Sequence, residues 1–126
     1  MAFRTDRQRV EGLGSAKEGV GHWWTHRLTS VALVPLTLLF IFPFARALGG
    51  GYEEVRAIYE HPWNALIAIL FIGVTLHHHM QGLQVVIEDY VHAKGRRTAL
   101  LLANSMFCVA FGFAGIFAVM KIAFTG

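Results

Sequence analysis

Three apolar runs, at about residues 28–48, 62–88 and 99–124, limit what this chain can fold into. Each is about 20 residues or longer, which at 1.5 Å per residue is enough for a helix to cross a hydrocarbon layer of about 30 Å. In such a layer every backbone N–H and C=O must find its partner within the protein, so only helices and closed barrels span it. The runs are continuous rather than alternating, which selects helices. Charged residues make up 15% of the 126, where about 25% is usual for a soluble domain. The expectation is an all-α membrane protein with three transmembrane helices, forming one domain over residues 1–126.

The polar segments between the runs set its arrangement. Residues 1–21 mix Arg4, Arg7, Arg9 and Lys17 with Asp6, Glu11 and Glu18. They contain no apolar core followed by a cleavage site, and too many acids for a transit peptide, so they read as a solvated arm. Pro35 and Pro43 lie inside the first run, where membrane helices tolerate them. Gly49, Gly50 and Gly51 stop it. Residues 52–61 read as a loop with Tyr52, Tyr59 and Trp63 at a membrane interface. Pro62 suits the first turn of the second helix. The formal charge of +3 could suggest nucleic acid. The basic residues instead sit at the ends of the apolar runs, mostly in the arm and in residues 92–97, so nucleic acid is excluded as a partner. That bias puts the N-terminus in the cytoplasm. The single cysteine, Cys108, excludes an internal disulfide.

One stretch carries chemistry. Residues 76–91 begin inside the second run with His77, His78 and His79 and end with Glu88, Asp89 and Tyr90. A histidine within a span is a functional candidate, and a neutral imidazole is a common ligand of haem iron. On a helix, His78 and Asp89 lie about 20° apart and roughly 16 Å along the axis. Gly82 falls about 40° from His78, where a missing side chain leaves room for a flat macrocycle. Tyr90 is about 120° round and need not face the same group. The three histidines point about 100° apart, so they cannot converge on one ion.

A second polar group precedes the first run: His22, Trp23, Trp24, His26 and Arg27. The tryptophans mark the interface. A guanidinium such as Arg27 matches a carboxylate in two-point fashion and would suit haem propionates, although topology and snorkelling explain it equally well. The assigned topology gathers His22, His26, Arg27, Asp89 and Tyr90 at one membrane face.

His78, ten intervening residues, Asp89 and Tyr90, with Gly82 between and His22-Trp23-Trp24 and Arg27 before, resemble the D-type membrane anchor family of succinate dehydrogenase, respiratory complex II and part of the tricarboxylic acid cycle. The resemblance covers all three runs. It implies a heteromeric helical bundle in the bacterial inner membrane, with the mitochondrial inner membrane as the other setting. It implies a second, C-type anchor subunit, an iron–sulfur subunit and a flavoprotein subunit as partners. It implies one haem b held between the two anchors, with His78 as this chain's ligand to the iron and His26, Arg27 and Gly82 beside the cofactor. It implies that Tyr90 and Asp89 bind ubiquinone. The run of three histidines departs from the family and leaves a one-residue ambiguity in the ligand. Two other readings stand beside this one: a haem b subunit of another respiratory oxidoreductase, and a cofactor-free structural anchor. The chain has no flavin or dinucleotide fingerprint and no iron–sulfur cysteines, so it is not a catalyst alone.

Overall fold

The computed structural model describes residues 5–12 and 19–125. Five helices follow in order: α1 (Asp6–Glu11), α2 (Val20–Ala47), α3 (Tyr52–Tyr59), α4 (Pro62–Tyr90) and α5 (Lys94–Phe124). Among the described residues there is no strand. Helices α2, α4 and α5 are long and apolar enough to cross a membrane.

Part of the expected arm, residues 1–4 and 13–18, lies outside the described residues. Within the arm, α1 is a short helix closed by a capping box, in which Thr5 and Gln8 exchange side-chain and backbone hydrogen bonds. It contacts no other helix among the described residues.

Helix α2 begins eight residues before the apolar run, so the His22–Arg27 segment is helical rather than an approach to the helix. Its hydroxyls turn back onto its own carbonyls: Thr25 donates to Gly21 at 2.8 Å and Ser30 to His26 at 2.8 Å. Such bonds hide a hydroxyl from hydrocarbon. Pro35 and Pro43 sit inside a continuous helix. The stop at Gly49 follows from its φ of 85°, a conformation that glycine takes without strain.

Residues 52–59, expected as loop, form α3 instead. Glu53 and Glu54 in its first turn favour the positive end of the helix dipole. Arg56 pairs with Glu60 one turn on, at 2.5 Å. Tyr59 packs inward, and burial pushes its phenol above the ordinary range. Charge made this segment look like loop, but the charges are spaced to support a helical turn.

Helix α4 opens as expected, with Pro62 in its first turn and His61 as its cap. It is the centre of the molecule. It packs antiparallel to both α2 and α5, which do not meet each other among the described residues. Phe40 stacks on Phe71 across the α2 seam, with ring centroids 4.3 Å apart. On the α5 seam Asn104 donates to the Met80 carbonyl at 2.9 Å, and Gly112 and Gly115 face Leu76 and Ile72. Helix α3 covers one end, touching all three long helices. The other end gathers the start of α2, the end of α4 and the start of α5. The buried apolar residues are few and mostly small or on α4, among them Ala65, Ile67, Ala68 and Ile87. The row of helices thus leaves most of its apolar side chains outward, as lipid or a neighbouring subunit requires.

Candidate functional site

The three successive histidines have different surroundings. His77 is exposed beside an apolar cleft between α4 and α5, and His79 is also exposed. His78 is half-buried and turned to α2. There its Nδ1 lies 2.9 Å from Thr29 Oγ1. The same oxygen is 2.9 Å from the Thr25 carbonyl and 3.0 Å from the His26 carbonyl. A hydroxyl has one proton. In the tautomer that carries its proton on Nδ1, the oxygen accepts from His78 while its own proton goes to one of the carbonyls. This assignment leaves Nε2 of His78 as the bare nitrogen. A metal-binding imidazole is ordinarily held in this way, with its other N–H fixed by an acceptor behind it.

His26 completes the group. Its ring stacks on His78, with centroids 4.3 Å apart and planes 25° apart. A Cβ placed on Gly82 would lie 3.6 Å from His26 Nε2, so the His26 ring occupies the space that the glycine opens. One turn earlier on α2, His22 keeps a buried Nε2 without a hydrogen-bond partner. His22, His26 and Thr29 therefore form a stripe along the face of α2 that meets His78. Another orphaned polar atom, Gln81 Oε1, is buried on α4 one turn from His78.

The remaining sequence candidates lie apart from this group. Arg27 is exposed, with its guanidinium 5.5 Å from the centre of the Trp23 ring. Asp89 is exposed, and Tyr90, the last residue of α4, is 78% exposed. They share the molecule's end with His22 and His26. Among the described residues no three or more His, Cys, Asp or Glu side chains cluster as they would to hold a metal ion. A group needing a single imidazole from this chain is what the seam can serve. His78 fits that need, with one nitrogen anchored and one bare, provided His26 swings off Gly82.

Sequence reasoning missed Thr29. A threonine in an apolar run reads as filler, and only its place seven residues after His22 and three after His26 marks it as part of the polar stripe.

The transmembrane subunit family of succinate dehydrogenase and fumarate reductase matches residues 1–116 of the chain. The chain belongs to that family. Its relatives include the succinate dehydrogenase hydrophobic membrane anchor subunit of Paracoccus denitrificans, 40% identical over 116 residues, spanning 92% of this chain and 86% of the relative. The subunit of the same description from Rickettsia bellii is 32% identical over 85% of this chain and 86% of its own. A succinate dehydrogenase membrane anchor subunit from Reclinomonas americana is 29% identical over 64% and 70%. No solved structure matches the chain. Family membership and three candidate spans make this a multi-pass membrane protein of the succinate dehydrogenase and fumarate reductase type.

Proposed function

We propose that the chain is the membrane anchor subunit of a succinate:quinone oxidoreductase and that His78 is its axial ligand to a haem b. The supporting observation is the Thr29–His78 hydrogen bond, which holds the imidazole and, in the tautomer protonated on Nδ1, leaves Nε2 free to act as a ligand. The names of the relatives support the complex; the anchored imidazole supports the ligand. Bound haem supplies a one-electron redox centre between the iron–sulfur relay and the membrane quinone.

In this reading the chain's own residues divide the work. Thr29 holds the His78 ring at the correct tautomer and angle. His26, once turned from Gly82, would flank the cofactor, and the Arg27 guanidinium would pair with a propionate. A second membrane subunit of C-type would supply a further ligand and would cover the half-exposed side of His78. Tyr90 donates a hydrogen bond to a ubiquinone carbonyl, where negative charge develops on reduction. Asp89 orients donors or passes protons beside it. The basic residues at this end, Arg27, Lys94, Arg96 and Arg97, support its lying on the cytoplasmic side of a bacterial inner membrane. The flavoprotein and iron–sulfur subunits dock there.

The deciding experiment is a reduced-minus-oxidised visible spectrum of the complex purified through a tag on this chain. A low-spin b-type signal is expected in the parent and in His77→Leu and His79→Leu, and is lost or altered in His78→Leu. A normal spectrum from His78→Leu with an altered one from His77→Leu would move the ligand by one residue. Absence of haem in the parent complex would leave an anchor without the ligand role.

A further inference from the structure

At the end of the molecule away from His78 there is a cup that the proposed electron-transfer role does not use. It opens between the last turn of α2, helix α3 and the first turn of α4, with a volume of about 300 Å³. Arg46, His61 and Asn64 bring polar groups to it, and Phe42, Pro43 and Ile58 form an apolar wall. Among the described residues no carboxylate lines it, although α3 and its cap carry Glu53, Glu54 and Glu60. Glu60 is engaged by Arg56, and the other two are exposed. Among the described residues no acid forms an ion pair with Arg46.

His61 adds a second donor. As the cap of α4 it accepts the Trp63 N–H on Nδ1 at 3.3 Å. A neutral imidazole that accepts on Nδ1 carries its proton on Nε2. Asn64 is pinned by donation from Nδ2 to the Ile58 carbonyl at 2.9 Å, which fixes the α3–α4 turn as one side of the cup. A guanidinium and an imidazole thus line one recess. The recess lies at the membrane edge, where the exposed rings of Tyr52 and Trp63 stand, and its apolar side continues onto the exposed surface of α2 through Phe42 and Leu38.

A site with cationic donors at the interface and hydrocarbon-facing walls below suits an anion that carries its own hydrocarbon. We propose that Arg46 and His61 bind the phosphodiester of an anionic phospholipid, in the leaflet opposite the Tyr90 end. Its acyl chains lie along Phe42 and Leu38. Arginine matches a phosphate in two-point fashion, and basic pockets between membrane helices take lipid headgroups.

The test uses the whole complex, reconstituted in phosphatidylcholine vesicles with a trace of spin-labelled phosphatidylglycerol or spin-labelled phosphatidylcholine. The measured quantity is the motionally restricted fraction of each label. Phosphatidylglycerol is expected to be held in preference, and Arg46→Gln with His61→Gln to lower that preference about fivefold or more. Ala57→Trp, which fills the cup without changing charge, is expected to lower it too. It decides the matter if the double variant fails to assemble. An unchanged preference in an assembled variant would overturn the proposal. So would displacement of the labelled lipid by inorganic phosphate, which would assign the cup to a free anion.

Discussion

Helix α4 has two seams, and they are built on opposite plans. Toward α5 the contacts are small and close. A Cβ on Gly115 would lie 3.3 Å from Ile72, and one on Gly112 would lie 3.5 Å from Leu76. Small residues let two membrane helices approach and gain dispersion contacts, since lipid offers no hydrophobic drive between them. Toward α2 the contacts are rings: Phe40 on Phe71, then His26 on His78. Rings on a seam can rotate, and imidazoles bring nitrogen to a depth where water is scarce. One seam holds the helix in place; the other leaves it something to offer.

Substitutions should separate the two plans. The largest effect after loss of the ligand itself is expected from Thr29→Val, which keeps the shape of the side chain and removes the acceptor behind His78. On the proposed role, haem affinity falls by about 10–100-fold, the usual consequence of losing such a partner. Haem retention during dilution, with the absorbance maximum, measures this, and Thr29→Ser should restore most of it. If Thr29→Val binds haem like the parent, the α2 seam is packing only.

Gly115→Leu should do the reverse. Overpacking a close seam costs about 1–3 kcal/mol. Yield of assembled complex and its thermal midpoint are expected to fall while any complex that assembles keeps the parent spectrum. A spectral change without a loss of stability would mean that the seams are coupled through α4.

The smallest effect is expected from Asn104→Ala. It removes the bond to the Met80 carbonyl, and interhelical hydrogen bonds in membranes are worth only about 0.6 kcal/mol on average. A shift in thermal midpoint near the limit of detection is the expected result. A loss comparable to Gly115→Leu would make this polar contact, rather than the glycines, the determinant of the α5 seam.

The sequence and the structure agree where a signal accumulates along many residues. The three spanning helices are legible because hydropathy adds over about 20 positions, and Pro62 and Gly49 mark an edge of α4 and of α2 by backbone chemistry alone. Helix α3 was hidden because eight residues with three charges carry too little apolar pattern to outweigh a loop reading. The early start of α2 was hidden for a related reason: His22, Thr25, His26 and Arg27 are polar, yet they are helical. At the candidate site, the periodicity placed His78 and Gly82 on one face of α4, and both lie against α2. What periodicity could not supply was the partner across the seam. Thr29 and the position of His26 over Gly82 depend on how α2 and α4 are aligned, which no single helix encodes. Arg27, Asp89 and Tyr90 lie at the expected end of the molecule but exposed, so nothing within the described residues joins them into a pocket.

Among the described residues α2 and α5 do not touch, and this bears on biogenesis. Because α4 stands between them, it is covered on two sides and bare on the other two, and His77 and His79 are exposed. A newly inserted, solitary copy would therefore present imidazoles directly to acyl chains, an arrangement that membrane helices ordinarily avoid. Covering them with another subunit releases that unfavourable solvation, so the middle helix gives the orphan chain a thermodynamic reason to be captured.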